Sequence, residues 1–104
     1  MRVELLYWDG CPSHPQALSE LRAAMAELDL DPDDIEVREV DTDDAASADR
    51  FVGSPTIRID GVDVVDPGGE PVGLTCRVYY RRDGRVDAVP DPDDLRDALR
   101  RAMT

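Results

Sequence analysis

The side chains of this 104-residue chain best suited to nucleophilic or redox chemistry are two cysteines and a single histidine. Cys11 follows a short apolar segment, residues 3–8, and precedes a helical pattern that begins within a few residues. At such a junction the free backbone amides and the helix dipole favour an anion, so a thiol ionises more easily than a free cysteine does. The position therefore predicts a reactive Cys11 thiolate. The structural alternative is a small buried side chain that follows a strand.

His14, the only histidine, stands three residues after Cys11. Residues at this spacing are neighbours on a helix surface, so the imidazole is placed to stabilise a thiolate or to carry its proton. The alternative is an exposed histidine in the first helical turn. Two helix starts fit the sequence. In one, Cys11 is the cap and Pro12 the first helical residue; in the other, Ser13 is the cap and Gln16 completes a capping box.

Cys76 is far from Cys11 along the chain, and two roles are open for it. If the two Cα atoms come within about 7 Å of each other, the pair can form a reversible disulfide in which Cys76 is the resolving thiol. Otherwise Cys76 is a core residue of a half-buried strand. With His14, the cysteines would give a soft metal ion three ligands, but Cys-x-x-His spacing alone is a weak metal signal. No metal site and no cofactor are predicted.

The elements that must position these residues begin with two strands and two helices. Strands are predicted over residues 3–8 and 35–40 from their apolar and alternating patterns. Apolar residues at spacings of three and four predict an amphipathic helix between them, ending before Pro32. These residues are Leu18, Leu21, Met25 and Leu28. The acidic, alanine-rich stretch 42–50 predicts a short second helix.

The second half of the chain predicts a hairpin and a terminal helix. Residues 56–60 and 62–65 are typical of two strands joined at Gly61. Residues 75–80 are readable as a strand or as an ordered loop. Residues 92–103 predict an amphipathic helix with aspartates in its first turn and arginines near its end, which suits the helix dipole.

This order of elements predicts a single α/β domain over residues 1–104. Strands separated by helices become parallel neighbours through a right-handed crossover, and a hairpin adds antiparallel strands at one edge. The expected architecture is a three-layer sandwich, with a mixed sheet of about four strands and helices on both faces.

Three short motifs, together with the element order, carry a resemblance to a known superfamily. The Cys11-Pro12 step after the first strand, the Ser54-Pro55-Thr56 step before the third and the Ile-Asp-Gly turn after it are together similar to the thioredoxin-like superfamily. The resemblance covers nearly the whole chain. It implies a thioredoxin-like sandwich in which Cys11 attacks and Pro55 is a cis-proline whose loop lies against it. The substrate groove that it implies consists of Trp8, Asp9, Pro12, Ser54, Pro55 and Thr56.

The sequence departs from the superfamily's pattern at one position. His14 stands where a Cys-x-x-Cys pair has its second cysteine. Dithiol exchange within that motif is therefore excluded. Cys76 replaces the missing resolving thiol only if it comes close enough to Cys11 to form a bridge, and the alternative of a core cysteine stays open.

A narrower resemblance involves the same cysteines. The segment 54–61, followed by the Cys-Arg-Val-Tyr stretch that begins at Cys76, is similar to small bacterial thioredoxin-like proteins called alkylmercury lyase-like. Organomercurial lyases grip mercury with two cysteines and protonate the leaving carbon with the help of an aspartate. The resemblance implies Cys11, Cys76 and Asp9 in those roles.

Composition and charge exclude several other functions. Twelve basic against 24 acidic residues give a net charge of −12, and a surface of that sign repels phosphate backbones, so no nucleic-acid partner is expected. The apolar runs are far shorter than the roughly 20 residues that span a bilayer, so no membrane partner is expected. Glu4 and Asp9 interrupt the apolar region that a signal peptide needs. We therefore expect a cytoplasmic protein.

These observations leave three functional hypotheses, and whether the chain is an enzyme stays open among them. The first is a thiol–disulfide oxidoreductase or thiol-dependent redox protein that acts through Cys11 on a small thiol, a disulfide or a protein thiol. The second is a binding module that keeps the fold without turnover. The third is a protein that handles a thiophilic metal or an organomercurial through Cys11 and Cys76.

Overall fold

A mixed sheet of four strands organises the chain, and the computed structural model describes residues 1–104. The elements are β1 (Val3–Tyr7), α1 (His14–Glu27), β2 (Glu36–Glu39), α2 (Asp43–Asp49), β3 (Thr56–Ile59), β4 (Val62–Asp63), β5 (Tyr79–Tyr80), β6 (Val86–Asp87) and α3 (Pro92–Met103). The sheet order is β2-β1-β3-β4, with β1 parallel to β2 and the β1–β3 and β3–β4 pairs antiparallel. The predicted α/β class, parallel first pair and edge hairpin are confirmed.

The helices lie on both faces of this sheet because successive residues of β1 point to opposite sides. Val3 and Leu5 belong to the larger apolar core, which includes Leu21 of α1 and Leu99 of α3. Leu6 belongs to a smaller core on the other face. Its other buried members are Val40, Ala46 and Phe51, of which Ala46 lies in α2. Helices α1 and α3 therefore cover one face, and α2 covers the other.

The start of α1 follows the second of the two predicted registers. The helix begins at His14 with Ser13 as its N-cap, but the Ser13 side chain makes no capping hydrogen bond. The capping box with Gln16 is therefore absent, because Ser13 has helical backbone angles (φ −85°, ψ −8°) instead of the extended ones that aim a cap side chain at the helix. Pro15, the second helical residue, has no N–H, so the other amide from which a cap side chain accepts is also missing.

The segment 75–80 is partly strand and partly loop. Tyr79–Tyr80 pairs with Val86–Asp87 in a separate two-stranded sheet that the sequence pattern did not predict. Tyr79 is 2% exposed and Tyr80 is 77% exposed, so the two side chains lie one inside and one outside, as expected for adjacent strand residues. The predicted strand 62–65 is shorter than expected, since β4 ends at Asp63. None of the helices has both the length and the apolar character that a bilayer crossing requires.

Candidate functional site

Cys11 and Cys76 are joined by a disulfide, and the chain has no free cysteine. Their Cα atoms are 5.6 Å apart, inside the usual disulfide range of about 4.4–6.8 Å. Of the two roles open for Cys76, the structure selects pairing with Cys11. The other, a half-buried core position, is wrong, because Cys76 is exposed to solvent.

The turn between β1 and α1 holds the Cys11 half of the bridge. The Cys11 amide donates a hydrogen bond to the Trp8 carbonyl (3.1 Å), which closes the turn. The Cys11 residue is 3% exposed, and its Sγ lies 3.8 Å from the Oγ of Ser13, the N-cap of α1. The Cys11 sulfur is thus buried at the end of a helix where backbone amides lack intrahelical partners.

The chain around a cis peptide bond holds the Cys76 half. The bond between Ser54 and Pro55 is cis. The Ser54 amide donates to the Thr75 carbonyl (2.8 Å), and the Arg77 amide donates to the Ser54 carbonyl (2.9 Å). These two bonds flank Cys76 and form an isolated parallel bridge between Ser54 and Cys76. The residue before the cis-proline therefore fixes the backbone of the cysteine.

A buried guanidinium anchors the same segment from its other side. Arg77 is 8% exposed and pairs with Asp63 of β4 at 2.7 Å. It also donates to the Val65 carbonyl (2.7 Å) and the Thr56 hydroxyl (3.2 Å), and it lies over the Tyr79 ring at 4.6 Å. A buried charge is tolerated when it is paired and fully hydrogen-bonded, so these partners fix the position of Arg77. The adjacent cysteine is held with it.

Two further contacts tie the cis-proline loop to this segment. The Tyr79 hydroxyl donates to the Pro55 carbonyl at 2.5 Å, and burial raises the pKa of Tyr79, so the donor proton is retained. Gly53 has φ +142°, and a Cβ there would lie 2.9 Å from the Cβ of Arg77. Glycine is therefore needed where these two backbones approach each other.

The other predicted catalytic residue, His14, is directed elsewhere. Its ring stacks on Tyr7, with ring centroids 4.1 Å apart and planes at 17°, and it forms no hydrogen bond with either cysteine. Its Nδ1 is buried without a hydrogen-bond partner. No group of three His, Cys, Asp or Glu side chains is arranged to hold a metal ion. The predicted alternative metal set of Cys11, His14 and Cys76 is therefore not assembled in this disulfide-bonded form.

The six predicted groove residues fall into two groups. Trp8 packs partly buried against the smaller core, while Asp9 and Pro12 are exposed. Ser54, Pro55 and Thr56 are buried, and the chain's own segment 75–77 lies against Ser54. The expected open groove at the cis-proline is therefore covered in this form.

An open groove of about 510 Å³ lies beside Cys76 instead. Its lining residues come from three places in the chain. They are Val52, residues Val65, Asp66, Pro67, Glu70 and Pro71 of the loop after β4, and residues 75–80. Sequence reasoning gave no role to this loop or to Arg77. The one available signal was an arginine directly after a cysteine in an otherwise apolar stretch.

Comparison with known proteins finds no match of the chain to a family model, a curated protein or a solved structure. Membership of the thioredoxin-like superfamily therefore stays a prediction. The geometry on which a function can be argued is a disulfide with one buried and one exposed cysteine, set between a helix start and a cis-proline.

Proposed function

We propose that this chain is a thioredoxin-like thiol–disulfide redox protein whose working pair is Cys11 and Cys76. One observation carries the proposal: the disulfide joins a sulfur at the start of α1 to an exposed residue beside the cis Ser54–Pro55 bond. A bridge that only stabilises a fold needs neither an exposed side nor a helix start that favours a thiolate.

The reaction is a two-electron exchange. Two thiols reduce the bridge to two cysteine thiols and become a disulfide, and the reverse reaction reduces an external disulfide to two thiols. The free amides at the start of α1 stabilise the Cys11 thiolate that each direction forms. His14 has no part in this proposal, because its ring is engaged with Tyr7.

A cytoplasmic location belongs to the same proposal. Reducing compartments keep most thiols reduced, and the disulfides that do form there are usually catalytic or redox-sensing. A bridge between Cys11 and Cys76 in such a compartment is therefore a transient, functional state. A functional bridge differs from a structural one in that the folded protein exchanges it with the cellular thiol pool.

The test is equilibration of the protein in buffers of reduced and oxidised glutathione, with trapping of thiols by a maleimide and counting by mass spectrometry. We expect interconversion of the dithiol and disulfide forms across these buffers, with the far-ultraviolet circular dichroism of a folded protein throughout. The Cys11→Ser and Cys76→Ser variants are the matched controls and cannot form the bridge. A bridge that opens only when the protein unfolds would identify a structural staple and overturn the proposal.

Turnover is measured separately, by reduction of insulin with dithiothreitol as electron donor. We expect the wild type to accelerate the reaction and both single-cysteine variants to lose the acceleration. Equal rates for the wild type and the variants would instead favour a binding module without catalytic turnover.

A further inference from the structure

The two ends of the disulfide differ in exposure, and this difference assigns their roles. Cys11 is 3% exposed, whereas Cys76 lies at the surface beside the groove. We infer that Cys76 is the exchange cysteine, which forms the mixed disulfide with a cationic, partly apolar substrate, and that Cys11 is the buried resolving cysteine. The inference rests on the proposed redox function and reverses the roles that the sequence resemblance implied.

The leaving group points to the same assignment as the exposure. When an external thiolate attacks the sulfur of Cys76, the sulfur that departs is that of Cys11. That sulfur lies 3.8 Å from the Ser13 hydroxyl at the start of α1, where the positive end of the helix dipole and a hydroxyl that can donate to it favour the thiolate. Attack on Cys11 would require access to a buried atom and would release the Cys76 thiolate beside Asp66 and Glu70.

The steps balance in both directions. An external thiolate forms a bond to Cys76 Sγ, the Cys11–Cys76 bond breaks, and Cys11 leaves as a thiolate. A second external thiolate then attacks the external sulfur of this mixed disulfide, and Cys76 leaves as a thiolate while the two external thiols become a disulfide. In the other direction the Cys76 thiolate attacks an external disulfide and expels one thiolate, and Cys11 then attacks Cys76 Sγ and expels the second. Two electrons pass from the protein dithiol to the external disulfide, and the two released thiolates take up protons from water.

The resolving step requires that Cys76 stays beside Cys11 when the bridge is open. The contacts of Arg77 with Asp63 and Val65, and the backbone bonds from Ser54 to residues 75 and 77, do not depend on the bridge. They hold the segment in place after reduction. The segment is thus a fixed support for the exchange cysteine and not a flap that the disulfide closes.

The groove beside Cys76 indicates the class of substrate. Apolar side chains form much of its wall, and Val78 and Tyr80 are also exposed to solvent. Its two carboxylates, Asp66 and Glu70, outnumber its single cation, Arg77, whose charge Asp63 already neutralises. The net charge of −12 adds a negative field over the whole molecule. A disulfide with positive charge and apolar groups near the sulfur complements this surface.

The first experiment identifies the exchange cysteine. Cys11→Ser and Cys76→Ser proteins are reacted with cystamine, and the mixed disulfide is followed by mass spectrometry with circular dichroism as the check on folding. We expect the Cys11→Ser protein, which keeps Cys76, to react at least roughly ten-fold faster than the Cys76→Ser protein. The opposite order, or equal rates, overturns the assignment.

A second measurement covers the case in which a variant fails to fold. Reduced wild-type protein is treated with a substoichiometric amount of iodoacetamide, and peptide mapping shows which cysteine is alkylated first. Predominant labelling of Cys76 supports the inference, and predominant labelling of Cys11 overturns it. Neither result depends on insulin turnover or on equilibration with glutathione, so failure of the proposed redox function is distinguishable from failure of this assignment.

The third experiment tests the substrate charge. The Cys11→Ser protein is reacted separately with cationic cystamine and with anionic glutathione disulfide, and the first rate is divided by the second. The same ratio is measured for a neutral thiol, 2-mercaptoethanol, with the same two disulfides. The ratio for the protein divided by the ratio for 2-mercaptoethanol is the normalised ratio. We expect a normalised ratio of roughly ten at low ionic strength that decreases as salt is added. A normalised ratio of one or less refutes the cationic substrate class.

A charge-matched pair of variants locates the source of this preference. In the Cys11→Ser background, Asp66→Asn/Glu70→Gln is expected to lower the normalised ratio, because it removes both carboxylates of the groove. The control, Asp33→Asn/Asp34→Asn, removes the same charge from exposed residues just before β2. This strand forms the edge of the sheet opposite β4, after which the groove loop follows. Equal decreases in the two proteins would assign the preference to net charge and refute a role for the groove.

Discussion

At Arg77 a single guanidinium holds one half of the candidate site, through a buried ion pair with Asp63 and hydrogen bonds to Thr56 and Val65. We expect Arg77→Met to lower the free energy of unfolding by about 3–5 kcal/mol, because it leaves the Asp63 carboxylate buried without its cationic partner. Urea unfolding followed by circular dichroism measures the loss.

The partner variant makes this prediction specific. Asp63→Asn keeps an oxygen that can accept from the Val65 amide, which Asp63 Oδ1 now accepts at 3.0 Å, but removes the charge. Asp63→Asn removes the carboxylate charge that Arg77→Met would leave unpaired. We therefore expect Arg77→Met/Asp63→Asn to be more stable than Arg77→Met alone. If the double variant loses as much stability as the two single variants together, the ion pair with Asp63 is not the source of the stability that Arg77 provides.

Individual residues differ in how far the sequence reveals them. Cys11 could be selected because the chain has only two cysteines and this one directly follows a predicted strand. Pro55 was selected on the superfamily resemblance, since its type and place alone indicate only a proline at the start of a strand. Arg77 and Asp63 could not, since neither residue type is rare in this chain and their pairing exists only after β4 and the segment 75–77 meet in space. The stacking of His14 on Tyr7 is equally a product of the fold.

Among the elements, α3 is tied to the rest of the chain through its cap. Asp91 accepts a hydrogen bond from the Asp93 amide (2.9 Å) within the helix and from the Arg82 amide (3.0 Å) in the turn between β5 and β6. The backbone amides of Arg82 and Asp93 lower the pKa of Asp91 below its ordinary value. We expect Asp91→Ala to lower the free energy of unfolding by about 1–2 kcal/mol at neutral pH.

The pH dependence of this loss has a definite sign. Because the pKa of Asp91 is lower in the folded protein, its contribution is complete above the unfolded value of about 3.9 and disappears as pH falls through the lower folded value. The difference between the wild type and Asp91→Ala, from urea unfolding, should therefore be constant from pH 7 to about 5 and shrink at lower pH. A difference that grows on acidification would contradict the assignment. Asp91→Asn, which keeps a cap acceptor without the charge, is the control.

The long elements were predictable and the short ones were not. Helices α1 and α3 span 14 and 12 residues, enough turns for an apolar stripe to emerge. Strands β5 and β6 have two residues each, too few to show alternation, and their pairing depends on the turn between them. The capping box predicted from Ser13 and Gln16 does not form because Ser13 has helical backbone angles, and the sequence motif does not reveal those angles.

For the whole molecule, the α/β class followed from the order of strands and helices, but the assembly of the site did not. Cys11 and Cys76 are 65 residues apart, and their meeting depends on the cis-proline loop, the Arg77 contacts and the course of the chain after β4 together. Sequence alone left Cys76 open between a resolving thiol and a core residue for this reason. The exposure that distinguishes the two cysteines is likewise a property of the assembled surface.

The redox proposal requires that the molecule stays folded when its disulfide is reduced. A bridge across 65 residues restricts the unfolded chain by about 4 kcal/mol in the chain-entropy treatment, so reduction should lower the free energy of unfolding by up to that amount. The reduced protein must still be folded, because resolution by Cys11 needs Cys76 held in place. Urea unfolding with and without dithiothreitol measures both quantities. The Cys11→Ser/Cys76→Ser protein should be insensitive to the reductant. An unfolded reduced protein in the absence of urea would mean that the two apolar cores cannot maintain the fold without the bridge, and no exchange cycle could then run on it.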